Sequence, residues 1–473
     1  MKLKFKVASL ALFALALFVS SCSKSELTPE EAAAAMINLV PDNADFVMAG
    51  NPEVFLNSAG VVWEDNHFSV SSENPYKSRI EKKIERLDEV GAFLDLSNVV
   101  IYGKYTSVDD VNALAYVTDA EGCKKYIKTE ESLKEEDGYF GFVKDNFALV
   151  VDKKHIAHLL SASNFTSAVR SVEKAVKAAE EEKDNKAAWK SDLLKNGSEG
   201  LVALINLKSI PVDIFALTGQ QNSRKFFNSD VEYLSATAKL DGATASVSIK
   251  TLDKDGNNIE YTAADYRSYS SPAAALKRLP AGLQAVCATG MVTNLANMPL
   301  PDAVPAEFHQ LIRTLQQSGN ALALGVNFDF NSPADAMVSV FAAMECKPGT
   351  AQEAYEALKQ AMNDFGLPAS AGQFDGKDAQ IIPEFENLRS LALYVDGDFV
   401  MLSPVGSALA PAGSDYGINS LGGYAIDIDT FPGKSDFKGI KGVLNVTMTG
   451  ADATVTLPGQ EKFILGLMQM AGR

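Results

Sequence analysis

The chain has 473 residues, 47% of them hydrophobic, and a formal charge of −17. This composition excludes a disordered chain, and the length predicts two or three domains. So acidic a body argues against binding nucleic acid and against electrostatic docking on anionic lipid, since both need clustered Lys and Arg.

Lys2, Lys4 and Lys6 precede an apolar stretch, Val7 to Val19, which has the length of a signal-peptide core and is too short to span a bilayer. Ser20 and Ser21 then lead into Cys22. The arrangement resembles the lipobox of bacterial lipoproteins. That resemblance implies that residues 1–21 are a signal peptide and that Cys22 is lipidated and becomes the mature N-terminus. A plain secretory signal with a chance cysteine is the alternative. Loss of the three lysines would take the mature charge to −20. More than one acyl chain, at roughly 0.8 kcal/mol per buried CH2, anchors a protein stably. No later stretch has about 18 consecutive apolar residues, so none is expected to span a membrane. Cys123, Cys287 and Cys346 are scattered and odd in number, which excludes a disulfide framework but leaves one bridge open.

Residues 22–34 read as the lipidated tether and the start of a first helix. Thr28-Pro29-Glu30-Glu31 is a capping box with proline at the first helical position, predicting a helix from Pro29 to Asn38. Val40-Pro41-Asp42-Asn43-Ala44 turns into a strand from Asp45 to Gly50. Asn74-Pro75 opens a helix with Ile80, Ile84 and Leu87 inward. Strands follow at 99–103 and 113–117, then a hairpin around Lys144-Asp145-Asn146. Residues 166–196 read as a long, mostly solvated helix with a thin stripe of Val169, Val172, Val176 and Ala179. A strand at 201–205, a hairpin around Asp241-Gly242 and a strand at 259–262 complete a first repeat, 35–265. Ser- and Pro-rich residues 266–274 read as a linker.

Residues 275–473 replay this order. Pro280 matches Pro41, a helix opened by Pro305 matches that opened by Pro75, and strands at 322–326 and 338–341 match the next two. The hairpin Phe142–Phe147 is matched to Tyr394–Phe399, and 200–207 to 422–429. The second repeat adds a helix after the capping box Thr350–Glu353, with Tyr355, Leu358, Met362 and Phe365 inward. The expected fold is α+β: two tandem, similar halves, each a mostly antiparallel sheet of about seven strands with helices packed on one face.

His155 and His158 would share a helical face, as a zinc pair does, but no zincin glutamate accompanies them; surface helix histidines are the simpler reading. Asp253-Lys254-Asp255-Gly256-Asn257 resembles a calcium loop, but its sixth position is Asn258 and its twelfth Ala264, so a turn is expected. Asp427 and Asp429 alternate as the wet face of a strand does. Trp63 falls in an expected loop, where packing competes with stacking on a sugar or partner chain. There is no nucleophile elbow, P-loop or dinucleotide fingerprint, hence no assigned catalytic, metal or cofactor residue.

The two serines before Cys22, with the opening Val40-Pro41-Asp42-Asn43-Ala44-Asp45, resemble large Bacteroidetes lipoproteins of unknown function. That resemblance implies an envelope address, outer membrane included, and transfers no functional residue. Ser23-Lys24-Ser25-Glu26 is only partly like the acidic export stretch of that phylum, which leaves the side of the envelope open. The expected function is a lipid-anchored, non-catalytic binding or scaffolding role towards a protein or envelope glycan. The alternative is an envelope hydrolase acting on glycan or peptide.

Overall fold

The computed structural model describes residues 27–64, 67–84, 93–105, 110–181, 190, 193, 200–210, 227–263, 269–291, 306–329, 337–406, 416–429 and 439–471. Cys22, whose lipidation the sequence predicts, lies outside them. The chain divides into two compact units, one comprising residues 1–212, 230–258 and 460–473, the other 213–229 and 259–459.

The first unit opens with α1 (Pro29–Asn38), whose capping box forms in full: Thr28 Oγ1 accepts the Glu31 N–H and Glu31 Oε2 accepts the Thr28 N–H. It continues through β1 (Phe46–Gly50), α2 (Pro52–Ser58), β2 (Val61–Glu64), β3 (His67–Val70) and α3 (Lys77–Ile84). Then come β4 (Leu94–Gly103), β5 (Asn112–Val117), α4 (Ala120–Glu130), β6 (Lys134–Glu136), β7 (Tyr139–Lys144) and β8 (Phe147–Val151). β9 (Ile156–Ser161), α5 (Phe165–Glu181), β10 (Gly200–Asn206), β11 (Tyr233–Asp241) and β12 (Thr244–Leu252) follow. The sheet is antiparallel throughout, in the order β6-β7-β8-β9-β5-β4-β1-β10-β11-β12.

The second unit runs through α6 (Ala273–Leu276), β13 (Ala285–Gly290), α7 (Ala306–Ser318), β14 (Gly319–Asp329), β15 (Met337–Cys346) and α8 (Ala351–Asp364). It continues with β16 (Ser370–Phe374), β17 (Lys377–Ile382), β18 (Leu391–Asp396), β19 (Phe399–Pro404), β20 (Gly422–Ile428), β21 (Ile440–Thr447) and β22 (Gly450–Thr456). Its antiparallel order is β16-β17-β18-β19-β15-β14-β13-β20-β21-β22. Position for position this is the order of the first sheet, with ten strands in each among the described residues rather than seven.

The way each first central strand is seated also repeats. Asp45 donates its N–H to the Gly103 carbonyl (2.9 Å), accepts from the Asn206 N–H (2.8 Å) and takes the Tyr105 N–H on Oδ2 (2.9 Å). Gln284 donates to the Val326 carbonyl, accepts from Asp427 N–H, and takes the Phe328 N–H on Oε1 at 2.6 Å. One side chain thus satisfies a backbone donor two residues past the end of the neighbouring ladder in each unit.

Several expectations need correction. Helices pack on both faces, not one. In the first unit α1 sets Met36 and Ile37 against Val100, Leu114 and Ile156, and α5 sets Phe165 and Val169 against Ala148 and Val150. α4 packs Cys123 and Ile127 on the opposite face, against Val99, Val117 and Val151. In the second unit α6 packs on Val286 and Ala323, while α8 lies on the other face over Met344 and Val400. α8 is therefore no addition, since α4 stands at the same place between β5 and β6. Thr350 makes no capping bond; its hydroxyl donates to the Ser318 and Lys347 carbonyls instead, and Phe365 is 45% exposed. The long helix lies along β7 to β9.

The strand order also shifts the matched hairpin. The turn at Asp396-Gly397-Asp398, between β18 and β19, corresponds to the β8–β9 turn at 152–155, not to Lys144-Asp145-Asn146. Within residues 259–262 only Thr262 is bridged, to Phe227, and no strand forms. Part of the expected linker is built into the second unit, where Ser270 donates to the Met291 carbonyl and α6 begins at Ala273. Residues 460–473, expected in the second repeat, belong to the first unit. There Ser58 Oγ accepts the Ile464 N–H of α9 (Phe463–Ala471) at 3.1 Å, and Met468 Sδ accepts from Asn74 Nδ2.

Candidate functional site

The residues singled out for chemistry are not brought together. His155 is a turn residue with φ of 62°, and His158 is 4% exposed within β9, so the pair shares no helix face. His158 Nε2 lies 3.1 Å from Asp152 Oδ2, while Asp152 Oδ1 accepts the N–H groups of Lys154 and Ile156. This buried pair closes the β8–β9 turn, with the carboxylate fully used by donors from within the unit. A run buried on both faces shows no alternation, which is why Ile156–Ser161 resembled a helix in sequence.

Asp253 Oδ1 accepts from the Asp255 and Asn257 N–H groups at 2.9 Å each, which holds its carboxyl below the usual range and makes the segment a turn. Asp427 and Asp429 are exposed, as alternation predicted, and Lys441 Nζ sits 2.8 and 3.5 Å from them. Among the described residues no group of three or more His, Cys, Asp or Glu is placed to hold a metal ion. Trp63 is in β2, not a loop; it pairs across to Phe68 with ring centroids 4.6 Å apart and packs in a small cluster with Val61 and Val70.

Cys123, Cys287 and Cys346 are free thiols. Burial pushes Cys123 up to about 12 and Cys346 up to about 11, which removes thiolate character and hence nucleophilicity at neutral pH. Burial also raises Glu345, with the charge of Asp398 second.

Sequence reasoning missed the role of the opening turn itself. Asp42 holds the ammonium of Lys190, a side chain only 5% exposed, at 2.7 Å. Taken with the Asp45 clasp, this makes the turn a structural lock.

Among the described residues, an exposed apolar row lies in the second unit. Leu324, Cys287 and Tyr424 face one another across β14, β13 and β20, on the side that carries α8. Leu324 is 39% and Tyr424 60% exposed, with Cys287 half-buried between them. The Cys287 thiol beside it raises the Tyr424 hydroxyl. Val326 and Ile426 continue the surface in the next row. In the first unit the corresponding strands, β4 and β10, are packed by α2. Neither periodicity nor spacing could reveal this row, because it is assembled from three strands.

No protein-family model matches the chain, and no curated protein matches it. Solved structures that align include crystal form IV of TP0453, at 9% identity and a TM-score of 0.25 over 45% of this chain and 79% of that one, and crystal form I of TP0453, at 8% identity and 0.23 over 81% and 94%. Likeness at this level carries no argument. No described helix is long and apolar enough to cross a membrane.

Proposed function

We propose that this chain is a lipid-anchored protein of the bacterial envelope that binds a protein or envelope component through its folded body and turns over no substrate. The observation that carries the reading is the exposed row of Leu324, Cys287 and Tyr424, apolar side chains in mid-sheet where a solvated strand would place polar ones. The address rests on the lipobox-like stretch ending at Cys22. Matching strand orders and the Asp45 and Gln284 clasps support gene duplication as the origin of the two units.

Two experiments test this. Cys22→Ala should release the chain from membranes into the soluble fraction; unchanged sedimentation with membranes overturns the anchor. A photo-crosslinking residue at position 424, run on intact cells, should give one discrete adduct that Leu324→Asp abolishes. No adduct, alongside robust hydrolysis of an envelope glycan or peptide lost in Glu345→Gln, would favour the hydrolase. Glu345, raised and next to Asp398, is the carboxyl that reading would use.

A further inference from the structure

The two sheets end in corresponding strands, β6 and β16, whose outer edges are handled differently. Each leads into an Asp-Gly turn, Asp137-Gly138 or Asp375-Gly376, with both turn residues left-handed. Such a two-residue turn makes its flanking residues a hydrogen-bonded pair, so alternate residues of the outer strand aim N–H and C=O off the sheet.

On β16 the flanking pair is Phe374 and Lys377, which turns Gly372 inward and leaves Ala371 and Gln373 facing out. Both are exposed, and among the described residues no strand pairs with this side. β6 is blunted in the usual way, by brevity and charge. Its three residues are Lys134, Glu135 and Glu136; Glu135 bridges Lys124 of α4 at 3.2 Å, and Glu136 accepts from Thr166 of α5 at 2.8 Å. Ser370-Ala371-Gly372-Gln373-Phe374 carries no charge and no proline, and Leu367 just before it is 48% exposed.

We propose that β16 receives an extended, cationic segment of another polypeptide as an added strand. The inference rests on the binding reading above and goes beyond it, adding a second contact surface in the same unit and naming the class of partner it takes. Two outward residues offer four backbone hydrogen bonds, and Leu367 offers an apolar contact beside them, the combination by which sheet edges capture peptides. The sign of the partner follows from charge. Asp364, Asp375 and Asp378 are exposed around the strand, the chain carries −17, and Lys377 is already held by Asp396 at 2.7 Å. A second copy fits worse, because a five-residue edge buries far less than the roughly 1,000 Å² a stable interface needs and would bring two acidic rims together.

The test is residue-resolved amide exchange on the full mature chain, with an eight-residue Lys-Thr-Val repeat peptide as probe and its Glu-Thr-Val counterpart as control. The lysine peptide should slow exchange at Ala371 and Gln373 about tenfold or more, and the glutamate peptide should not. Ala371→Pro, which removes an outward N–H at a position where an edge tolerates proline, should weaken the lysine peptide about tenfold. Ala371→Lys, which recharges the edge without touching the backbone, should do the same. The proposal fails if the lysine peptide protects neither amide, if the glutamate peptide binds equally, or if protection appears with rising protein concentration alone. An adduct at position 424 alongside any of these failures would leave the broader binding reading standing while this one falls.

Discussion

Replacing Asp45 by alanine tests whether the opening turn is a structural lock. Asp45 is 7% exposed, and its Oδ2 is the acceptor for the Tyr105 N–H at 2.9 Å. Alanine leaves that amide without its partner and removes a hydrogen bond to a charged acceptor, worth about 2 kcal/mol. Both tryptophans, Trp63 and Trp189, fall in residues 1–212, so intrinsic fluorescence reports the first unit in a urea titration. With a denaturant slope of about 2–3 kcal/mol per molar for a unit of this size, the midpoint should fall by about 0.7–1 M. Asp45→Asn keeps an acceptor oxygen and should recover most of the loss. A shift under about 0.2 M for alanine, or equal shifts for alanine and asparagine, would refute the reasoning.

Other outcomes follow from burial and from close approach of backbones. In the native mature chain at pH 8 an aromatic disulfide reagent should modify Cys287 while sparing Cys123 and Cys346, which unfolding exposes; fast labelling of either buried thiol counts against the packing. Those two thiols titrate higher in the folded state than unfolded, so the native chain binds more protons between about pH 9 and 12. Stability should therefore be complete below about pH 9 and decline as pH rises through that window, an effect reduced in Cys123→Ala after allowing for the cavity. Gly141→Ala should destabilise the first unit by about 3 kcal/mol, read by the same fluorescence titration, because a Cβ there overlaps the Leu149 carbonyl oxygen.

The reach of sequence reasoning can be followed element by element. The Thr28 capping box, the left-handed Asp145-Asn146 turn and the strands on either side were legible because each depends on residues within a few positions of one another. The order of repeated elements was legible for the same reason, although one hairpin was matched out of step, and the Asp137-Gly138 and Asp375-Gly376 turns that would have corrected it were overlooked. Histidines at 155 and 158 misled because a strand covered on both faces loses its alternation.

Local chemistry, then, determined where this chain turns, caps and extends, and the stretch ending at Cys22 from which its address was inferred. Tertiary structure alone decided that helices cover both faces, that Lys190 pairs with Asp42, that the C-terminal helix returns to the first unit, and that Leu324, Cys287 and Tyr424 meet in one row. These contacts join residues dozens to hundreds of positions apart. Cross-strand neighbours are set by sheet order, which no short-range preference encodes.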